Sequence, residues 1–287
     1  MRRLVAALAR KDRLRATLQL LPGSAWLTAF FLAPVAVLAA YSFMPRGIYG
    51  GVEPGFTLEH YRRFLDPLYL VILARTALLS AVSTALCLVL GFPVALAIAR
   101  SGRWKHLLLF LVVLPLWTSF LVRTYALIFL LRDGGLINQL LLSLGLTSAP
   151  LELLYTRGAV LAGLVYGFLP LMILPIYASL EKLDPSLLEA AEVLGARSWS
   201  RLRRVMLPLA APGIGAGCLL VFIPALGAFL TPDLLGGAKQ VMIGNLIQGQ
   251  FSAARNWPFG AAASVIVMTV VLASLLGYLA RRPREAA

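Results

Sequence analysis

The chain has 287 residues, 60% hydrophobic and 13% charged, whereas a soluble domain is about 45–50% apolar and about 25% charged. A mean hydropathy of +0.86 leaves more apolar surface than a water-soluble core can hide. The formal charge of +14 would suit nucleic acid or anionic lipid, but the basic residues fall between long apolar runs, so a lipid bilayer is the expected partner and nucleic acid is not.

A bilayer core of about 30 Å takes about 20 apolar residues in helical form, because lipid offers no partner to an unpaired backbone group. Six stretches meet that length and predict an all-α, six-span transmembrane bundle. A basic N-terminal segment, residues 1–24, carries Arg2, Arg3, Arg10, Lys11, Arg13 and Arg15 ahead of the first span at 25–43. A cleaved secretory signal also starts this way, but the apolar stretch exceeds a signal core and five more spans follow. The second span, 71–99, is long enough to tilt or to pass the interface, and contains Gly91-Phe92-Pro93. The third, 107–131, contains Pro115. The fourth, 159–180, contains Pro170 and Pro175, and the fifth, 206–230, contains Pro212 and Pro224. These prolines are expected to interrupt the helices, with the freed carbonyls satisfied by neighbours or cavity water. Gly163-x-x-x-Gly167 and Gly213-x-x-x-Gly217 together predict that the fourth and fifth spans pack against a neighbour at short range, although glycine is ordinary in membrane helices. The sixth span, 259–280, leads into a basic tail, 281–287. Cys87 and Cys218 lie in apolar segments far from either His, so neither a disulfide framework nor a metal site is expected.

Orientation follows from the Lys/Arg asymmetry of the short loops. One side holds the N-terminal cluster, Arg100, Arg103, Lys105, Lys182, Arg197, Arg201, Arg203, Arg204 and the tail; the other holds Arg46, Arg62, Arg63, Arg132, Arg157, Lys239 and Arg255. Both termini should therefore be cytoplasmic, in a multi-pass inner (plasma) membrane protein of a bacterium. No Asp or Glu lies inside a span, which disfavours a proton-coupled carrier. A stand-alone carrier coupled to sodium through backbone carbonyls would leave no such mark, and it stays as the alternative.

Between the fourth and fifth spans, residues 181–205 form a cytoplasmic loop. Asp184 suits a helix N-cap, Pro185 the first helical position and Gly195 the position just past the end, with a second short helix from Ser198. Leu187, Leu188, Ala191 and Leu194 recur at three- and four-residue spacing and predict one apolar stripe. Such a helix could lie on lipid, but Glu181, Asp184, Glu189 and Glu192 would be repelled by anionic headgroups, so a groove in another protein is the better fit.

Glu189-Ala190-Ala191, three residues, Gly195, nine residues, then Val205-Met206-Leu207-Pro208 resembles the EAA signature of ABC importer permeases, with Val205 where the pattern usually has Ile. The resemblance implies that this loop docks in a cleft of a separate ATPase subunit and passes its closure to the spans. Glu189, Ala190, Ala191, Gly195, Leu207 and Pro208 are then the coupling residues, within a permease domain at 25–280. The likeness extends through Gly55-Phe56-Thr57-Leu58-Glu59-His60-Tyr61, Leu116 to Tyr125, Gly135-Leu136-Ile137-Asn138, Thr231 to Gly237 and Ile243-Gly244-Asn245, which resemble the first permease of spermidine/putrescine importers. Relatives of that branch carry other amino compounds. It implies a transport subunit for polyamines or a related amino compound, with a second permease, two copies of the ATPase and a periplasmic substrate-binding protein as partners.

The chain has no Gly-x-x-x-x-Gly-Lys-Ser/Thr phosphate loop, so it is not expected to be an enzyme or to hold a cofactor. ATP and Mg would be bound by the partner ATPase. Candidate path residues are Arg123, Tyr125, Tyr166, Phe222, Phe229 and Asp233. By helical rise Arg123 would lie about 10 Å below the outer end of the third span, facing the path or snorkelling out of the bilayer. The polyamine permeases typically have an acid after the Gly of the fifth span, and here the run is Gly227-Ala228-Phe229. That departure predicts a partner that supplies the charge, or a less cationic substrate.

Overall fold

Apolar runs of this length become helices because only a helix pairs every backbone N–H and C=O within one segment. The computed structural model describes residues 2–281, with side chains described for residues 19–277 apart from Pro185 and Ala238. The tail beyond Arg281, including Arg282 and Arg284, and the side chains of Arg2, Arg3, Arg10, Lys11, Arg13 and Arg15 lie outside the described residues.

In chain order the helices are α1 (Arg2–Ser42), α2 (Glu59–Phe64), α3 (Pro67–Arg100), α4 (Lys105–Val113), α5 (Phe120–Leu131), α6 (Leu136–Ser143), α7 (Arg157–Leu180), α8 (Pro185–Val193), α9 (Ser198–Arg201), α10 (Leu207–Leu226), α11 (Ile243–Phe251) and α12 (Trp257–Arg281). Five described helices are long and apolar enough to cross a bilayer, and a bent pair makes a sixth if counted as one span. The protein is thus an all-α membrane bundle. Among the described residues, 2–65 with 249–281 form one compact unit and 66–248 another.

In the first unit α1 packs on α12, and α2 packs on α12 as well. The turns after α1 are tied down by polar contacts: Ser42 Oγ and the Tyr61 hydroxyl lie 2.7 Å apart, and Arg46 Nη2 donates to the Ala254 carbonyl at 3.0 Å.

In the second unit α3, α7 and α10 form the core around Cys87, Met172, Ile176, Ala210 and Val221. Small residues permit the approach. A Cβ on Gly217 would stand 2.8 Å from Met172 Sδ, and one on Gly91 would stand 3.2 Å from Met172 Cγ. Gly213 lies against the Pro175 carbonyl and Ser179, so the Gly213/Gly217 pair forms the α7–α10 contact. The Gly163/Gly167 pair instead receives Leu235 and Phe120 on another face of α7. The buried Thr76, Ser83 and Thr84 hydroxyls on α3 return to its own backbone, Thr76 to the Ile72 carbonyl at 2.8 Å and Thr84 to the Ser80 carbonyl at 2.7 Å. With 34 residues α3 spans about 51 Å, well beyond a bilayer core.

Four expectations change. The third span is not one helix over 107–131: its two halves diverge by 93° between Trp117 and Phe120. Thr118 and Ser119 are extended there, and the Thr118 hydroxyl and N–H both donate to the Pro115 carbonyl, so the break leaves those groups paired. The depth given above for Arg123 falls with that straight helix. Pro93, Pro170, Pro175, Pro212 and Pro224 lie inside continuous helices and do not interrupt them; in an apolar surround the remaining backbone bonds have no water to exchange for. The fifth span ends at Leu226, short of residue 230, and the chain then widens into a π turn at Pro232–Gly236. Finally, the helix from Ser198 is not a separate short element but runs into that span, through a π turn at Leu202–Met206 in which the Leu207 N–H donates to the Leu202 carbonyl. A π turn at this point accommodates Pro208, which has no N–H to give.

Candidate functional site

The loop between α7 and α10 is built by local rules. The Asp184 carboxylate accepts the Ser186 N–H at 2.9 Å and caps α8, and Pro185 occupies the first turn. That bond holds the Asp184 carboxyl below its ordinary range. At the other end Gly195 N–H donates to the Glu192 carbonyl at 2.8 Å and Ala196 N–H to the Ala191 carbonyl at 2.9 Å. Gly195 has φ +80°, a left-handed conformation that glycine adopts without strain, and nothing lies within 4 Å of where its Cβ would be. Its requirement is therefore conformational, not steric.

The loop rests on the bundle through Leu183, Leu188, Leu202 and Leu207. Leu187 points outward, and Val193 and Leu194 are 88% and 86% exposed, with Trp199 at 70%. The predicted single stripe is thus divided: Leu188 seats α8 on its own bundle, while Leu187 and Leu194, joined by Val193, form a free apolar edge. Glu189 and Ala190 are exposed beside it, Ala191 is half-buried, and Pro208 is exposed at the start of α10. Glu192 pairs with Arg201 at 2.5 Å, which ties α8 to α9. Lys105 at the start of α4 pairs with Glu181 just past α7, and that partner holds the Glu181 carboxyl below its ordinary range.

A second group of predicted residues lies beyond the bend. Arg123 sits on α5 with its guanidinium 5.5 Å from the Phe120 ring, and its Nε and Nη1 are buried without a hydrogen-bond partner. Phe120 in turn stacks on Phe168, with centroids 6.2 Å apart. Tyr125 and Tyr166 are exposed and Phe222 is half-buried. Phe229 and Asp233 are brought together. Asn245 Nδ2 donates to the Phe229 carbonyl at 2.8 Å and to Asp233 Oδ1 at 2.5 Å, and Asn245 Oδ1 accepts the Met242 N–H at 3.1 Å. Sequence reasoning missed this role for Asn245; an amide within an otherwise apolar run was the available signal. Gly244 is needed beside it, since a Cβ there would meet the Ala228 and Gly227 carbonyls. Ala228 itself packs against the cluster of Leu131, Val160, Leu164 and Leu235, so its side chain is directed into packing.

The long apolar helices define a polytopic membrane protein, with the capped, partly apolar α8 exposed between two of its spans. The match of residues 88–285 to the family of binding-protein-dependent transport system inner membrane components agrees, and the chain belongs to that family. It is 45% identical over 252 residues to the spermidine/putrescine transport system permease protein PotB of Escherichia coli K12, covering 88% of this chain and 91% of that protein. PotB of Haemophilus influenzae is also 45% identical, over 88% of each chain. The inner membrane ABC transporter permease protein YdcU of E. coli K12 is 38% identical over 80% of this chain and 77% of its own. Among solved structures, a bacterial ABC transporter that imports the acidic polysaccharide alginate matches with a TM-score of 0.75 at 21% identity, covering 99% of this chain and 100% of that one. That likeness concerns the fold alone. Nothing in these relationships supports a stand-alone carrier.

Proposed function

We propose that this chain is one of two permease subunits of an ATP-driven importer for polyamines of the spermidine/putrescine type or a related amino compound. The relatives at 45% identity carry that substrate in their names, and the free edge of α8 carries the mechanism. Val193 and Leu194 at 88% and 86% exposure, followed by the Gly195 turn, suit insertion into a groove of another protein. In this reading the loop 181–205 seats in a cleft of the ATPase, two copies of which bind ATP and Mg, and the closure of that cleft is passed to the spans. Glu189, Ala190, Ala191 and Gly195 make the contact, and Leu207 and Pro208 pass the movement into α10 through the continuous helix from Ser198. The permease domain covers residues 25–280, and both termini, 1–24 and 281–287, lie in the cytoplasm. A periplasmic binding protein delivers the substrate. Phe229 and Asp233 offer an aromatic face and a carboxylate to a cation, with Arg123, Tyr125, Tyr166 and Phe222 as further path residues.

The test is reconstitution of the chain with its ATPase, second permease and binding protein in proteoliposomes. Spermidine-loaded binding protein should stimulate ATP hydrolysis and uptake together. Glu189→Lys should leave assembly intact and abolish the link between the two. Uptake that persists without the ATPase, or a Glu189→Lys complex that transports at the parental rate, would overturn the reading.

A further inference from the structure

On the side of the chain that carries fewer basic residues, three cations converge on one cavity. Arg75 of α3, Arg157 at the start of α7 and Lys239 after the π turn line a volume of about 340 Å³. Among the described residues ion pairs join Lys105 to Glu181 and Arg201 to Glu192, so none of the three has a carboxylate partner. The fourth basic residue of that side in this unit, Arg132, lies apart with its guanidinium 5.3 Å from the Phe129 ring. The three side chains are solvent-exposed, and their like charges around one cavity favour an anion there.

The rest of the lining says what kind. α3 and α7 run parallel: Cys87 Sγ reaches the Val165 carbonyl at 3.7 Å, and Gly91 meets Met172 and Ile173, so residue numbers rise together along both helices. Arg75 and Arg157 therefore stand toward the same end. Leu79 and Val82 follow Arg75 on α3 at helical spacing, and Leu161 follows Arg157 by one turn on α7; all three line the cavity. Val82 lies about 10 Å further along the axis than Arg75. The cavity has a cationic rim and an aliphatic wall that descends along two membrane-spanning helices.

We propose that it binds an anionic phospholipid, with the phosphate of the headgroup among Arg75, Arg157 and Lys239 and an acyl chain along Leu79, Val82 and Leu161. Lys and Arg at a membrane surface attract anionic headgroups by charge, and the aliphatic wall lies where the acyl chain follows. A free anion has no use for the aliphatic wall, and an acidic protein surface could not follow it into the bilayer. A cationic substrate would be repelled, so the site is separate from the path.

The full-length chain in nanodiscs of phosphatidylcholine, alone or mixed with phosphatidylglycerol, provides the test. Native mass spectrometry after detergent extraction should show phosphatidylglycerol retained over phosphatidylcholine. The combined variant Arg75→Gln, Arg157→Gln, Lys239→Gln should lower that preference about a hundredfold, since each of the three surface cations adds to the attraction for anionic lipid. Arg75→Lys with Arg157→Lys keeps the charge and should keep the preference, which covers the case in which the triple variant fails to fold. Equal retention by parent and triple variant, or loss of the preference in the Lys variant, overturns the proposal. Displacement of the lipid by inorganic phosphate as readily as by phosphatidylglycerol would show a free-anion site and overturn it too. So would weaker capture of the binding protein by the triple variant in phosphatidylcholine alone, which assigns the cluster to protein docking; that arm rests on the importer reading, while the lipid arms do not.

Discussion

Gly195 separates two explanations of the coupling loop, because its conformation is demanding and its surroundings are empty. At φ +80° with nothing within 4 Å of a Cβ, a new side chain meets no clash, so any cost comes from the backbone. For an L residue that cost is about 1–2 kcal/mol, which depopulates the turn by about five- to thirtyfold at 1.4 kcal/mol per decade. Asn tolerates the left-handed region far better than a β-branched residue does. In proteoliposomes containing the whole importer, Gly195→Asn should therefore keep most of the stimulated ATP hydrolysis, Gly195→Ala should lose part of it, and Gly195→Val should lose about tenfold or more. If Asn and Val fail equally while the complex stays assembled, the turn conformation is not what matters. The reasoning from φ would then be refuted in favour of a partner surface that tolerates no side chain at all.

Gly217→Leu should lower the thermal stability of the detergent-solubilised chain by overpacking Met172, at a cost of about 1–3 kcal/mol, and Gly249→Leu, where nothing lies within 4 Å, should not; equal melting temperatures would count against the α7–α10 contact. In a background of Cys87→Ala and Cys218→Ala, a membrane-impermeant maleimide added to intact cells should label Glu53→Cys and spare Ser186→Cys, and the reverse pattern would invert the orientation. Because the Asp184 carboxyl is held low by the Ser186 N–H, its cap is in place above the ordinary carboxylate range near about 4 and is lost as pH falls through the lowered value. Amide exchange at Ser186 should accordingly be independent of this group above about pH 5, and a protection step near neutrality would show that another group controls the cap.

The boundaries of the loop were legible because they depend on local chemistry. Asp184, Pro185 and Gly195 each do in the structure what residues of their type do at helix ends. The spans were legible from length and hydropathy for the same reason: lipid permits little else. What escaped the sequence was set by the particular neighbours, local or tertiary, that each proline and glycine meets. Pro115 and Pro175 look alike in a string, yet one lies at a 93° break and the other inside an unbroken α7. The difference is that Thr118 stands three residues after Pro115 and captures its carbonyl. Likewise Gly163 and Gly213 present the same four-residue spacing, but only the packing around them assigns Gly213 to the α7–α10 contact and Gly163 to the turn that carries Leu235.

The same dependence on neighbours alters the meaning of the missing charge at position 228. From the sequence, Ala in place of an acid implies that a dication has lost an attraction of about 4 kcal/mol at 4 Å and an effective dielectric of about 20. The structure turns Ala228 into the cluster of Leu131, Val160, Leu164 and Leu235, while Asp233, five residues on, is exposed and held by Asn245. Ala228 is half-buried, so an Asp there would be partly desolvated against aliphatic side chains and would lose stability or take up a proton. Ala228→Asp should therefore lower the stability of the chain and leave the ratio of spermidine to zwitterion uptake unchanged. Asp233→Asn should lower that ratio with stability intact, because an exposed carboxylate is removed and an amide of the same shape remains beside Asn245. If Ala228→Asp instead raises spermidine uptake and Asp233→Asn leaves it alone, the cation is met at position 228 and the assignment of the charge to Asp233 is wrong.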